Sequence, residues 1–289
     1  VYIATATREH AAHAIAALEA GKAVLCEKPF AIGVEQGQRV LEAAQRSGRL
    51  FMEAQWTTAL PAFRELLRLA RDRALGEPVL LHSEFGIAHD PAAYPRLFEG
   101  PGAGVLLDFG VYPIVLALQA LGPVRSVDAA VRCNAAGVDV HATLQLTHEH
   151  GGHSQLAASL VCALPNRTSL SFAGGHVSLA SPVMGAESLQ VCPVAPVGAA
   201  HAGGPRAGLV AALRRRRWVR RLKAFLGGRA ALERPFGVDR YAPQLSHFLA
   251  LLDAGATESD LMPHATSLAV LRVVEAARQC RPPVVEASP

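Results

Sequence analysis

Ala23-Val24-Leu25-Cys26-Glu27-Lys28-Pro29 is a short apolar run that ends in a charged pair and a proline. Four apolar residues bounded by turn residues predict a buried strand. Parallel α/β sheets bind their ligands outside the carboxyl ends of the strands. The Glu27–Lys28 pair therefore predicts a ligand site at the end of this strand, with Pro29 fixing the turn.

The segments on either side of this strand alternate between strand-like and helix-like patterns. Residues 1–5 and 50–54 are apolar and strand-like, whereas residues 9–20 and 34–47 have helical patterns. Such alternation predicts parallel βαβ units. We therefore expect residues 1–75 to form the later half of a doubly wound α/β domain.

The pattern changes after a predicted helix at residues 61–73. Short strand-like runs then follow one another, many of them joined by turns rich in Gly, Asn and His, which predicts antiparallel pairing. These runs are residues 79–86, 126–133, 138–147, 154–162 and 168–172. Residues 76–260 are therefore predicted to form a large, mainly antiparallel β-sheet domain with helices on one face.

The C-terminal third holds two predicted helices and one stretch of unusual composition. Residues 242–254 and 263–279 have helical patterns, and we expect a helix within residues 261–289 to pack back on the sheet or on the first domain. Residues 192–237 are rich in Ala, Gly, Pro and Arg and show little apolar periodicity. They are predicted to form an insertion or a flexible surface excursion.

Composition argues against several classes of protein. The 289 residues are 51% hydrophobic, which suits a globular chain with a sizeable core. No apolar stretch reaches the roughly 18 residues of a membrane span. Five scattered cysteines without a C-x-x-C pair indicate neither a zinc site nor a disulfide framework. A cytoplasmic setting without membrane or metal partners is expected.

The positive charge of the chain is local. Its formal net charge is +4, but seven cations lie between Arg214 and Lys223, so the rest of the chain is net negative. A solvated amphipathic helix explains this cluster better than a nucleic-acid surface, because no nucleic-acid module accompanies it.

Three histidines, His148, His150 and His153, flank two glycines. They are expected to lie at a hairpin tip and not to bind a metal.

Asp108 and Tyr112 are the next candidates for chemistry. They are four positions apart just before Pro113, so a helix beginning here would place carboxylate and phenol on one face. A phenol has an ordinary pKa near 10 and becomes a useful proton donor or acceptor at neutral pH when a cation stabilises the phenolate. Lys28 is the obvious candidate for that cation.

Four motifs in this order resemble the Gfo/Idh/MocA oxidoreductases, and within them the dimeric dihydrodiol dehydrogenase branch. They are Ala4-Thr5-Ala6 with His10 downstream, Cys26-Glu27-Lys28-Pro29, Glu53-Ala54-Gln55-Trp56-Thr57, and the segment from Gly104 to Tyr112. The resemblance runs with gaps across nearly the whole chain. It implies a Rossmann-type domain followed by a sheet domain, and dimers formed through the antiparallel sheet.

The resemblance also implies a function and the residues that carry it. It predicts a dehydrogenase that transfers a hydride between NADP or NAD and a secondary alcohol of a small polyol, sugar or diol. Tyr112 would be the general acid/base, Lys28 would bind the reacting oxygen and the nicotinamide ribose, and Asp108 would orient the pair. The residues expected to bind the cofactor are Thr5, Ala6, His10, Glu27, Lys28, Pro29 and Trp56.

Two departures from the family pattern leave alternatives open. No G-x-G-x-x-G loop precedes Val1, so we expect the sequence to be truncated at its N-terminus. A noncatalytic binding or assembly protein that retains the sheet domain is therefore the main alternative. The second departure follows Trp56, where many relatives carry an Arg and this chain has Thr57-Thr58-Ala59-Leu60.

Overall fold

The structure is a computed structural model that describes residues 1–179, 181–194 and 230–280. The cationic cluster from Arg214 to Lys223 lies outside the described residues. Within the described residues, no helix is long and apolar enough to cross a membrane.

A three-stranded parallel sheet occupies the N-terminal part of the chain. Its strands are β1 (Tyr2–Ile3), β2 (Val24–Glu27) and β3 (Phe51–Ala54), in the order β1-β2-β3. Leu25 of β2 lies opposite Tyr2 on one side and Met52 on the other. The connections are α1 (His10–Glu19), which a 3₁₀ turn at Thr7–Glu9 precedes, and α2 (Val34–Ser47). These are the parallel βαβ units that the sequence predicts.

An eight-stranded sheet forms the larger part of the molecule, in the order β11-β10-β9-β8-β4-β7-β6-β5. The strands are β4 (Pro78–Gly86), β5 (Val124–Cys133), β6 (Asp139–His148), β7 (His153–Ser159), β8 (Thr168–Phe172), β9 (Gly175–Leu179), β10 (Ser188–Pro193) and β11 (Ala230–Glu233). Strand β4 pairs with β7 in parallel and with β8 in antiparallel fashion. The other pairs are antiparallel, which agrees with the predicted mainly antiparallel sheet.

The parallel β4–β7 pair follows from the connection between these strands. Parallel neighbours need a long crossover. Here the crossover contains α4 (Pro95–Phe98), a π-helical turn at Leu106–Gly110, α5 (Val111–Leu121) and the β5–β6 hairpin. The residues that carry the predicted chemistry, Asp108 and Tyr112, lie on this crossover.

Three strands were absent from the sequence prediction, namely β9, β10 and β11. Cys192 and Pro193 belong to β10, and β11 pairs with it across residues 188–191. Two parts of the stretch 192–237, predicted as an excursion, therefore belong to strands of the sheet, namely residues 192–193 and 230–233. Residues 195–229 within that stretch lie outside the described residues. The domain division at residues 75 and 260 stays a prediction.

Helices cover one face of the large sheet, as predicted. The other helices of the described residues are α3 (Pro61–Arg71), α6 (Ala242–Asp253) and α7 (His264–Gln279). Helix α5 packs on β4, and α7 packs on β5, on α5 and on α2. Leu271 and Val274 of α7 are buried. Each such side chain contributes roughly 1.5–3 kcal/mol by leaving water, so α7 fixes the small sheet against the large one.

His148 is buried beneath the β6–β7 turn, which differs from its predicted place at a hairpin tip. Its ring is 1% exposed. Nδ1 lies 2.7 Å from the Gly122 carbonyl, and Nε2 lies 2.7 Å from Ser154 Oγ. Since a carbonyl only accepts, Nδ1–H donates to Gly122 and the Ser154 hydroxyl donates to Nε2. Burial lowers the pKa of His148 and favours this neutral form.

The first prediction concerns His148 and acid stability. Because its pKa is lowered in the folded state, the unfolded chain binds the proton more tightly, and stability contributed by this group is lost as pH falls below about 6.5. His148→Gln should cost about 1–3 kcal/mol at pH 8, since Gly122 and Ser154 lose their partner. Urea unfolding at pH 8 and pH 5 should show a smaller difference between the two proteins at pH 5. A constant difference would refute the titration of His148.

Candidate active site

The candidate site lies where β1, β2 and β3 end. Thr5 follows β1, Lys28 follows β2, and Trp56 follows β3 in a 3₁₀ turn at Trp56–Ala59. Parallel strands bring their carboxyl ends to one edge of the sheet, so these three segments become neighbours. The Lys28–Pro29 peptide bond is cis.

Lys28 meets Asp108 across the interface between the two sheets. Its Nζ donates to the Asp108 backbone carbonyl at 2.7 Å and to Asp108 Oδ1 at 2.8 Å. The Lys28 side chain is 12% exposed and that of Asp108 26%. Burial would lower the pKa of Lys28, but the charges of Tyr112 and Asp108 outweigh it and raise that pKa. Lys28 is therefore a fixed cation.

Tyr112 lies beside this ion pair. Lys28 Nζ is 4.9 Å from the centre of the Tyr112 ring, and Trp56 Nε1 donates to the Tyr112 hydroxyl at 3.1 Å. The side chain is 8% exposed. Burial raises the pKa of Tyr112, while the Lys28 charge and the Trp56 N–H both lower it. Lys28 acts in the direction that the sequence predicts, but burial prevails, so Tyr112 is a neutral phenol here.

The π-helical turn at Leu106–Gly110 explains how Asp108 and Tyr112 reach the same cation. It leads directly into α5, whose first turn contains Pro113. Proline cannot donate a helical N–H hydrogen bond to the preceding turn, and here that preceding turn is the irregular π-helical one at Leu106–Gly110. Asp108 and Tyr112 therefore flank the junction of two helical segments and both approach Lys28.

The turn that carries Asp108 is held by an ion pair between buried Asp139 and the more exposed Arg278. Asp139, 4% exposed, accepts the Leu106 N–H at 2.7 Å and an Arg278 N–H at 2.7 Å. Arg278 also donates to the Ala103 carbonyl at 3.2 Å. Gly104 has φ +116°, and a Cβ there would lie 2.5 Å from Asp139 Oδ1. Only glycine fits this close approach.

The second prediction uses a matched pair of glycines. Gly100 has φ +81° and open space around its Cβ position, whereas Gly104 combines φ +116° with the clash against Asp139. Gly100→Ala should cost about 1 kcal/mol from backbone strain alone. Gly104→Ala should cost at least about 2 kcal/mol more, because overpacking adds to that strain. Denaturant unfolding measures the loss of stability in both variants. Equal losses would contradict the close approach of Gly104 to Asp139.

His10 ties together the first two strand ends. It is 2% exposed, with Nδ1 2.8 Å from the Pro29 carbonyl and Nε2 3.1 Å from the Thr5 carbonyl. Both ring nitrogens face backbone acceptors, so His10 presents no free polar atom to a ligand. Thr5 Oγ1 lies 3.1 Å from His13 Nδ1, and Ala6 begins the following 3₁₀ turn. Thr5 and Ala6 are exposed above His10.

Two buried side chains at the end of β3 have polar atoms without a hydrogen-bond partner among the described residues. Glu53 Oε1 accepts the Phe30 N–H at 3.3 Å, but Oε2 has no partner among the described residues, and neither has the amide of Gln55. Burial raises the pKa of Glu53 to about 7, against the lowering effects of the nearby Ser267 hydroxyl and of the Phe30 N–H. Unsatisfied buried polar atoms are typical of ligand sites.

An aromatic wall extends from Tyr112 in two directions. Phe85 and Phe109 stack at 4.5 Å, and Phe85 meets the Tyr112 ring at 5.9 Å. On the other side, Trp56 meets Tyr241 at 5.2 Å, and Glu27 accepts a hydrogen bond from the Tyr2 hydroxyl. Phe85, Phe109 and Tyr241 were not among the predicted site residues. No local pattern indicates them, because they come from distant segments.

A large cleft among the described residues lies elsewhere. It runs between α3 (Pro61–Arg71) and the end of α5, and Lys28, Asp108, Tyr112 and Trp56 do not line it. Some of its charged side chains are paired, for example Arg68 with Glu65 in the cleft and with the neighbouring Asp72. The candidate site is therefore located by the residues that converge there, and not by the size of a cleft. These residues are Lys28, Asp108, Tyr112 and Trp56.

Among the described residues, no group of three or more His, Cys, Asp or Glu side chains could hold a metal ion.

Comparison with known proteins gives two family models that fit consecutive parts of the chain. Residues 1–55 match the model described as oxidoreductase family, NAD-binding Rossmann fold, and residues 63–180 match the GFO/IDH/MocA C-terminal domain. Together they cover more than half of the sequence. The chain belongs to the GFO/IDH/MocA oxidoreductase family. The NAD or NADP cofactor class predicted from the sequence agrees with that family.

Individual members of the GFO/IDH/MocA family confirm the branch that the motifs resemble. The trans-1,2-dihydrobenzene-1,2-diol dehydrogenases of Bos taurus and Homo sapiens are each 32% identical over 185 residues, which is 63% of this chain and 54% of theirs. The chain thus matches about half the length of these relatives.

Solved structures of oxidoreductases share the fold. An aldose-aldose oxidoreductase from Caulobacter crescentus, complexed with glycerol, superposes with a TM-score of 0.76 at 23% identity, over 97% of this chain and 76% of that one. A 3-ketoreductase from Actinomadura kijaniata, in complex with NADP, gives a TM-score of 0.72 at 23% identity, over 97% and 77%. These matches support the predicted fold class.

Proposed function

We propose that this chain is part of an NAD- or NADP-dependent oxidoreductase that acts on a secondary alcohol, or the matching ketone, of a small polyol, sugar or diol. The observation that carries the proposal is the placement of Lys28. Its ammonium group bonds Asp108 and lies 4.9 Å from the Tyr112 ring at the carboxyl ends of the parallel strands. Family membership supplies the reaction class.

Tyr112 is proposed as the general acid/base. The bound nicotinamide would supply or accept the hydride, which leaves the protein to move one proton at the substrate oxygen. As a neutral phenol, Tyr112 can donate its proton to the oxygen of a ketone. In the oxidation direction the Tyr112 phenolate, which Lys28 and the Trp56 N–H stabilise, accepts the alcohol proton and becomes the phenol. Asp108 holds Lys28 in place for both directions.

The strand ends fit the nicotinamide half of a dinucleotide. Thr5 and Ala6 are exposed at the end of β1, Lys28 follows the end of β2, and the buried amide of Gln55 at the end of β3 has no partner among the described residues. We propose that Thr5, Ala6, Glu27, Lys28, Pro29 and Trp56 border the bound cofactor. His10 is proposed to act through the Thr5 and Pro29 loops that it bridges.

The spacing of the proposed pair supports these roles. Two variants of the Actinomadura kijaniata 3-ketoreductase have been crystallised, one with a lysine replaced and one with a tyrosine replaced. These two residues are 84 positions apart in that protein. Lys28 and Tyr112 are also 84 positions apart. The diol substrate class is suggested by the names of the mammalian relatives.

We also propose a homodimer that forms through the face of the large sheet that no described helix covers. Thr143, Gln145 and Gln155 are exposed on this face, opposite the helices. These short polar side chains suit close packing of two sheets. Light scattering should give twice the chain mass, and Gln145→Arg should shift it towards the monomer. A monomeric native protein would contradict the dimer.

Since all five cysteines are free thiols, we propose a reducing, cytoplasmic setting.

A cofactor and substrate screen tests the proposed function. The protein is mixed with NAD or NADP and a panel of diols, sugars and polyols, and absorbance at the nicotinamide band is followed together with cofactor binding by calorimetry. Turnover with one cofactor and at least one alcohol is expected. Absence of both turnover and cofactor binding would overturn the proposal and favour the noncatalytic binding protein.

A further inference from the structure

Arg240 stands over Trp56 at the rim of the candidate site. Its guanidinium carbon lies 5.5 Å from the centre of the Trp56 ring and 5.5 Å from the centre of the Tyr241 ring. The same Trp56 donates its N–H to the Tyr112 hydroxyl at 3.1 Å. One indole ring therefore touches the proposed proton donor and the guanidinium.

The charge of Arg240 is not used within the described part of the chain. None of its N–H groups forms a hydrogen bond or an ion pair with a described residue, although Arg234 and Arg278 both have carboxylate partners. Lys28, the cation beside Tyr112, is paired with Asp108. The carboxylate of Asp239, next in sequence, accepts the Tyr241 N–H at 2.9 Å.

The residues that follow Trp56 cannot supply this charge. Thr57 and Thr58 are 1% and 3% exposed, and the Thr58 hydroxyl donates to the Gln55 carbonyl. Arg240 comes instead from the segment between β11 and α6, far along the chain. Stacking on two rings fixes the plane of the guanidinium and leaves its edge free to donate a pair of parallel hydrogen bonds.

We propose that Arg240 is a specificity-determining residue that selects substrates carrying an oxyanion, either a carboxylate or a phosphate. The inference rests on the proposed function, because it takes Tyr112 as the reacting end of the site. A substrate whose hydroxyl meets Tyr112 would lie along Trp56 and place its anionic group at Arg240. A purely structural role, stapling this segment onto Trp56, is the competing explanation.

Binding of simple aryl probes tests the proposal without turnover. The chain has two tryptophans, so Trp218→Phe leaves Trp56 as the only indole reporter. In that background, Trp56 fluorescence is titrated with benzoate, phenyl phosphate and benzyl alcohol. At least one anion should bind about ten-fold more tightly than the neutral alcohol, since charge-assisted bonds are worth that much or more. The tighter anion identifies carboxylate or phosphate.

Variants assign the preference to Arg240. Arg240→Gln should abolish the preference for anions, whereas Arg234→Gln, a charge loss in the same segment away from Trp56, should keep it. If the native protein shows no preference, or if Arg240→Gln retains it, the proposal is overturned and Arg240 is a structural staple. Melting temperatures of both variants show whether the fold survives.

Steady-state kinetics with an anionic and a neutral substrate separate this inference from the proposed function. For an anionic hydroxy acid, Arg240→Gln should lower kcat/KM about ten- to hundred-fold, and for a neutral diol it should change kcat/KM less than about three-fold. Equal effects on both substrates would overturn the role of Arg240 while leaving the oxidoreductase intact. Absence of any turnover would refute the proposed function, and the fluorescence result would still decide anion binding.

Discussion

Replacing Tyr112 by Phe is expected to lower kcat by about 10²–10⁴-fold, the usual contribution of a positioned general acid or base. The ring and its contacts with Phe85 and Lys28 remain, so only the proton-carrying oxygen is lost. The Trp56 N–H loses its acceptor, which should cost about 0.5–1.5 kcal/mol of stability. Cofactor affinity should stay within about three-fold, because the phenol acts on the substrate oxygen.

Steady-state kinetics with the best alcohol from the screen measure this effect. Tyr94→Phe is the matched control, because Tyr94 is an exposed tyrosine at the far end of the same aromatic row, against His89. Its turnover should equal that of the native protein. Native turnover in Tyr112→Phe would exclude the phenol as proton donor.

Replacing Lys28 by Met is expected to damage both turnover and cofactor binding. The substitution removes the cation that two oxygens of Asp108 bind and that lies against the Tyr112 ring. We expect kcat/KM to fall by at least about 10²-fold, as for other residues that stabilise charge in the reacting complex. Unlike Tyr112→Phe, this variant should also raise the KM of the cofactor.

The pH profile distinguishes Lys28 from a residue with a merely structural role. Its charge lowers the pKa of Tyr112, so removing it raises that pKa further. The rate of alcohol oxidation, which needs the phenolate, should therefore begin to rise at a higher pH in Lys28→Met than in the native protein. Lys22→Met, at the opposite end of β2 and exposed, should leave the profile unchanged. An unshifted profile in Lys28→Met would contradict the coupling.

The first domain was largely predictable because its signals are local. Helix α2 was predicted at residues 34–47 and is observed at Val34–Ser47, since an amphipathic pattern ends at Gly48, which adopts φ +61°. Strand β1 is shorter than the predicted residues 1–5, because its described partner β2 pairs only with Tyr2 and Ile3. Strand ends depend on the partner strand, which a local pattern does not contain.

The candidate site was predictable in part for the same reason. Lys28, Asp108 and Tyr112 stand in recognisable motifs, and the structure brings them together. Arg240 and Tyr241 reach Trp56 from about 185 positions along the chain. Nothing in either segment indicates the other. His148 was misplaced because hairpin residues next to a glycine turn look alike in sequence whether they point outward or, as here, into the core.

Deuterium transfer tests the central claim most directly. The protein is incubated with NAD or NADP and an alcohol labelled with deuterium at the carbinol carbon, and the reduced cofactor is examined by mass spectrometry. We predict that deuterium moves to the cofactor with the native protein. With Tyr112→Phe the rate of this transfer should be lower by at least about 10²-fold. Transfer at the native rate in Tyr112→Phe, or no transfer from any alcohol to a cofactor that the folded protein binds, would contradict the account.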